Sequence, residues 1–355
     1  MQLSFLATAL LALGSANAAA VGCCQNSVRR EWRTLSTREK QAYISAVKCL
    51  QSKPSQLTAT YPNSASRFDD FQAVHIDLTE QYHFTGPFLP WHRIFIHQYE
   101  LDLRSLCNYR GFQPYWDWTK DSATEAAFLS APVFDAVNGF GGNGPFVDTS
   151  EFNVTNVPPK IPGKTGGGCV QDGPFVDMTV TLGPGASLDS NPRCLRRDFS
   201  YWLISRTLTQ DVVDWTLAAT TYGEFDHRLQ GTGIEPEGMT IHAGGHLGVG
   251  GDIGEIGNMY SSPGDPLFYL HHANLDRLWN QWQRVDFTNR VADMTGPDTM
   301  FAYPWDFFGP VPYTNITLNT LLDFKGLLGP KPTDRYVEIK DVMDIAGPRL
   351  CVSYR

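Results

Sequence analysis

Histidine is scarce in this chain and very unevenly placed. Of nine histidines in 355 residues, four fall between His75 and His97 and four between His242 and His272, leaving only His227 apart. Imidazole is the side chain that copper, zinc and iron sites share near neutral pH. A chain with two such clusters must fold so that distant segments meet, and the local patterns around the histidines are mainly helical.

His242 and His246 are four apart, so a helix would project both rings from one face. The intervening Ala243-Gly244-Gly245 works against that helix, since two glycines cost roughly 2 kcal/mol relative to alanines. Outside support is required, and metal binding is one source of it. Asp265-Pro266 opens an apolar helical pattern that runs to Val285 and carries the adjacent pair His271-His272. Neighbours on a helix point about 100° apart, so one ring of the pair faces a site while the other supports it.

Upstream, His75, His83 and His92 are spaced by eight and nine positions. His83 lies in Tyr82-His83-Phe84-Thr85-Gly86-Pro87, a turn by composition, and His92 follows Pro90, a good first-turn residue for a helix running to Cys107. A loop ligand between two helical ligands can converge on one ion when helices pack antiparallel. His97, five beyond His92, points about 140° away and reads as a structural or supporting residue. Two sets of three imidazoles suggest two metal ions. A zinc peptidase would need Glu where Ala243 stands, and a di-iron bundle would need Glu-x-x-His ligands in both halves; the two such spacings present, Glu80–His83 and Glu224–His227, fall outside the second histidine cluster. Nitrogen-only sets suit copper.

The remaining patterns bound the setting. With 42% hydrophobic and 18% charged residues the chain is globular, and a net charge of −9 removes any basic footprint for nucleic acid or an anionic membrane surface. Residues 1–18 have the layout of a secretory signal, an apolar run from Leu3 to Leu13 followed by Ala16-Asn17-Ala18. Secretion fits seven cysteines placed after that point and the sequons at Asn153 and Asn315. Cys169 and Cys194 flank a Gly/Pro-rich stretch that a disulfide could close. Ser36-Thr37-Arg38-Glu39 is a capping box ahead of helical spacing through Leu50, and further helical patterns cover Leu195–Leu217 and Pro266–Val285. Residues 136–193 read as long irregular surface structure with short strands.

Three segments together resemble the copper signatures of the tyrosinase and catechol oxidase family, in its short secreted fungal form. They are Phe88-Leu89-Pro90-Trp91-His92-Arg93, the His242-x-x-x-His246 pair, and Asp265-Pro266-x-Phe268-x-x-His271-His272-Ala273-Asn274-x-Asp276-Arg277-x-Trp279. The resemblance implies a mainly α fold, a central four-helix bundle holding a dinuclear copper site, with long irregular loops and a few short strands. It implies one copper on His75, His83 and His92 and a second on His242, His246 and His272, with His271 supporting. It also implies oxidation of o-diphenols to o-quinones with O2 reduced to water, so that the partners are small phenols and O2. Residues 19–355 are then expected to be one catalytic domain without the C-terminal shielding domain of longer relatives, hence constitutively active.

Departures from the family pattern refine the expectation. Gln81 stands where some tyrosinases have a cysteine joined to the loop histidine as a thioether. Ala243 stands where good monophenol hydroxylases often have Asn, which with a nearby Glu holds a water; Glu237 is the nearest upstream carboxylate here. Leu247 makes the rim beside His246 apolar. Met259 aligns with the bulky gate residue of plant relatives and reads as a flexible lid. Rival readings are an oxidase of o-aminophenols or other phenols, an O2 carrier resembling hemocyanin, and a structural protein with core histidines.

Overall fold

The computed structural model describes residues 27–152, 160–233, 235–300, 302 and 311–355. The expected signal segment, Cys23, Cys24 and the Asn153 sequon lie outside the described residues; Asn315 is exposed. Among the described residues no helix is long and apolar enough to cross a membrane.

Ten α-helices dominate the described chain: α1 Thr37–Ser52, α2 Arg67–Tyr82, α3 Phe88–Cys107, α4 Glu125–Leu129, α5 Tyr201–Thr207, α6 Gln210–Leu217, α7 Tyr222–Gln230, α8 Ile241–Gly250, α9 Leu267–Val285 and α10 Phe287–Arg290. The strands are two or three residues long and form three two-stranded pairs. Of these, β1 (Val28–Arg29) and β6 (Ser353–Tyr354) run parallel and join the two ends of the described chain. The pairs β2–β3 (Thr179–Val180 with Arg193–Cys194) and β4–β5 (Leu321–Asp323 with Tyr336–Glu338) are antiparallel.

The ends of the helices follow sequence chemistry. The Ser36–Glu39 capping box forms in both directions at the start of α1. Ser66 and Asp69 make the equivalent box at α2, which sets the start of the helix that carries His75. α3 begins at Phe88, so Pro90 sits in its first turn, where a missing N–H costs nothing. α3 ends at a left-handed Asn108 (φ 56°) whose N–H returns to Leu103 O.

Helices α2, α3, α8 and α9 form the central bundle, with α1 packed across α2 and α3. Cys49 near the end of α1 is disulfide-bonded to Cys107, the last residue of α3. Buried ion pairs lock the bundle from one side: Arg93 of α3 binds Asp276 of α9, and Arg29 binds Glu100 at 2.9 Å. The Arg93 guanidinium also lies 3.6 Å from the centroid of the Trp279 ring. Arg93, Asp276 and Trp279, three non-histidine residues of the signatures, are thus cross-links between the helices that hold His92 and His272.

Two expectations are corrected. The helical pattern from Leu195 does not begin until Tyr201, because residues 195–199 are extended chain: Val170 N bonds Leu195 O, Gly167 N bonds Arg197 O and Asp198 N bonds Val249 O. The pattern then breaks at Thr209, whose side chain caps α6. The irregular stretch 136–193, closed by the Cys169–Cys194 disulfide, does not merely coat the surface. Phe140, Val170, Phe175 and Leu182 belong to the main core, and the buried Arg197 ties Phe140 O and Gly141 O to Asp265 at the head of α9.

Candidate metal centre

Each half of the bundle delivers three imidazoles. His75 projects from α2, His83 is the residue that ends it, and His92 lies in the second turn of α3. His242 and His246 share one face of α8, and His272 comes from α9. Both sets, His75-His83-His92 and His242-His246-His272, are buried, and each offers three ligand nitrogens within 4.8 Å of one another.

The glycines of α8 find their reason here. A Cβ at Gly245 would overlap the His271 ring, and one at Gly244 would overlap the Thr207 side chain of α5. Close approach of α5 and α9 is the outside support this helix needs, and only glycine permits it.

Backbone carbonyls set the ring orientations. The Nδ1 atoms of His75, His83, His92 and His246 lie 2.6, 2.8, 2.8 and 2.7 Å from the carbonyl oxygens of Tyr260, Thr79, Phe88 and Ile256. A carbonyl only accepts, so each Nδ1 carries the proton and each Nε2 presents its lone pair to the centre. The Nε2 atoms of His75, His92 and His242 are buried without any hydrogen-bond partner. His246 Nε2 and His272 Nε2 approach to 2.9 Å; two imidazole nitrogens about 2 Å from one ion and about 90° apart have that spacing.

Burial lowers the pKa of all six, to about 3 for His83 and about 4 for His246, and the neighbouring imidazoles lower His75, His92, His242 and His272 further. Neutral rings with orphaned lone pairs fit a metal and fit little else.

The adjacent pair on α9 divides as a helix requires. His271 uses both ring nitrogens inside the protein: Trp118 Nε1 donates to its Nδ1 at 3.1 Å, and its Nε2 donates to His242 O at 3.1 Å. His271 therefore steadies α8, while His272 turns to the centre. His97 belongs to neither triad; its charged neighbours are Glu100, Arg29, Arg349 and Asp276, the ion cluster beside the bundle. His227 is half-buried on α7.

Four residues singled out beside the ligands have clear positions. Ala243 is half-buried and Leu247 buried, and both pack with Ile161, Leu203, Met239 and Trp202 in a small apolar cluster separate from the main core. Glu237 is exposed on the turn Pro236–Gly238. Met259 is half-buried between Asn258 and Tyr260.

Gln81 is exposed, and every described cysteine (Cys49, Cys107, Cys169, Cys194 and Cys351) is disulfide-bonded, so none of these is available to His83. The loop is held differently. Phe84, directly after His83, is left-handed (φ 53°), and its N–H is clamped by Gln230 Oε1 at 2.6 Å. Gln230 in turn donates to the buried Asp226 at 2.9 Å. Sequence reasoning misses this clamp, because nothing local marks a glutamine on a distant helix.

A helical bundle presenting two buried, neutral imidazole triads face to face defines a dinuclear metal protein of the all-histidine type. Comparison with known proteins gives the family. Residues 65–285 match the common central domain of tyrosinase. The chain is 36% identical over 357 residues to N-acetyl-6-hydroxytryptophan oxidase ivoB of Emericella nidulans, covering 92% of both chains. It is 37% identical to tyrosinase P of Aspergillus terreus, covering 87% of this chain and 88% of that one. The fold superposes on a polyphenol oxidase mutant from Thermothelomyces thermophila with TM-score 0.77 and 34% identity, covering 93% and 88% of the two chains. The chain belongs to the tyrosinase family, whose members act on phenolic substrates with O2, and its two triads are placed to hold two copper ions.

Proposed function

We propose that this protein oxidises o-diphenols to o-quinones and hydroxylates monophenols weakly at most. The observation that carries the reading is the apolar flank of the second triad: Ala243 follows His242 and Leu247 follows His246, both in a cluster of Ile161, Leu203 and Met239. Ala243 has no side-chain hydrogen-bonding group to orient a water beside a bound phenol, and Glu237 is turned to solvent. An o-diphenol gives up two protons and two electrons, and two diphenols together supply the four electrons that reduce O2 to two waters. Bound copper supplies the one-electron steps between Cu(I) and Cu(II).

The rest is the work of this chain. Carbonyls of Thr79, Phe88, Ile256 and Tyr260 hold four ring tautomers so that unprotonated nitrogens face the ions. Phe88 and Phe268, with ring centroids 4.5 Å from His92 and 4.1 Å from His272, exclude water around the imidazoles. Met259 acts as a flexible lid on the pocket. We further propose that the protein is secreted, which its signal-like first 18 residues and its disulfides support.

Steady-state rates on catechol, phenol, o-aminophenol and a 6-hydroxyindole test the proposal; the last is included because one relative is named for such a substrate. Catechol is expected to turn over fastest and phenol slowest. No catechol turnover by copper-loaded protein rejects the proposal, and O2 uptake without quinone favours a carrier.

A further inference from the structure

The chain from Glu255 to Ser261 reaches both triads through its backbone. Ile256 O holds His246 of the second triad and Tyr260 O holds His75 of the first. One imidazole of each site therefore takes its orientation from the same short stretch, and moving one carbonyl against the other changes how the sites face each other. This stretch is one 3-10 turn, Glu255–Gly257, then extended backbone at Asn258 and a turn closed by a single backbone bond, Ser262 N to Asn258 O at 3.0 Å.

The Asn258 side chain ties this turn down further. It is buried, and its Oδ1 accepts from Tyr260 N at 3.1 Å, Ser261 N at 3.0 Å and Gly185 N of a neighbouring loop at 3.2 Å. An Asn oxygen that gathers backbone N–H groups imposes a turn on the chain that follows. The other end is anchored by the Arg193–Glu255 ion pair at 2.6 Å and by Glu255 N to Arg196 O at 3.0 Å. Gly257 packs directly on Gly250 at the end of α8, where a Cβ would collide.

We propose that Asn258 is a positioning residue that fixes the separation and relative orientation of the two copper sites. The inference rests on the dicopper reading of the triads. Its test first loads the native protein with copper and records copper–copper scattering by X-ray absorption and the absorption band that appears on adding hydrogen peroxide. Absence of both from native protein contradicts the dicopper reading itself and leaves Asn258 out of account.

Asn258→Ser, too short to reach all three N–H groups, is expected to fold by circular dichroism and to bind copper. Its copper–copper scattering should weaken and its band fall, with kcat on catechol dropping about tenfold and more than KM changes. Asn258→Asp keeps an acceptor in the same place and is expected to keep both signals. Native signals in Asn258→Ser overturn the proposal, as does their loss from a folded Asn258→Asp. Should Asn258→Ser not fold, Asn258→Thr, whose hydroxyl is equally short, takes its place with the same expected and overturning results.

Discussion

The rings of His92 and His272 lie face to face, 4.5 Å between centroids and 15° from parallel. One belongs to α3 and the first triad, the other to α9 and the second. The pair is brought together by contacts beneath it: Arg93, next to His92, is bonded to Asp276, one helical turn beyond His272. A family signature that reads as a list of residues is, in the structure, a ligand and its brace on each of two packed helices.

Removing either ring should remove an ion. His92→Ala and His272→Ala are expected to lose one copper each and to abolish phenol oxidation, whereas His227→Ala changes neither. Metal analysis of purified variants checks this. Two coppers in His272→Ala together with one in His271→Ala would reverse the assignment of the adjacent pair.

The loop ligand depends on a clamp from another helix. Gln230→Leu removes the hydrogen bond from the N–H of the left-handed Phe84 to Gln230 Oε1, a cost of about 1 kcal/mol. Lower thermal stability and weaker copper binding at the first triad are expected, measured by calorimetry and copper titration. Unchanged copper affinity would show that the loop holds its own shape.

Gly245 of α8 packs directly on the His271 ring. Gly245→Ala must displace the ring that bonds His242 O, and a loss of about 1–3 kcal/mol is expected. Chemical denaturation measures it. Native stability and native copper content would contradict the packing argument.

The buried imidazoles make stability depend on pH in one direction. Their folded pKa values lie below the ordinary value near 6.5, at about 4 for His246 and about 3 for His83. Between pH 6.5 and 4 the unfolded chain binds protons that the folded chain refuses, so stability rises with pH through that window. The metal-free protein is expected to have its full histidine contribution above about pH 7 and to lose it towards pH 4. Urea midpoints at pH 7 and pH 5 check the sign; equal midpoints would mean the rings are not desolvated.

Ala243→Asn is expected to raise the ratio of monophenol to o-diphenol rates by giving a water a partner beside His242. An unchanged ratio would mean that Ala243 does not limit phenol deprotonation.

Much of this site is legible in the amino-acid sequence. Histidine spacing, Pro90, the Asp265-Pro266 helix start and the pair at 242 and 246 point to the two triads, because ligands on helices obey a fixed period. Ser66 and Asp69 carry a capping signal for α2 as clear as the one at Ser36. The start of α5 is harder to place, because residues 195–199 have a helical pattern yet spend their backbone bonds on the loop at 165–170 and on Val249. Gln230, Asn258 and Trp118 leave no trace in the pattern. Each acts through contacts made across the fold, and no periodicity announces such a contact.

Copper content of the fully loaded chain tests the central claim most directly. The structure predicts two ions per chain, one held by His75, His83 and His92 and one by His242, His246 and His272. A chain that saturates with a single copper, or with none, would contradict it.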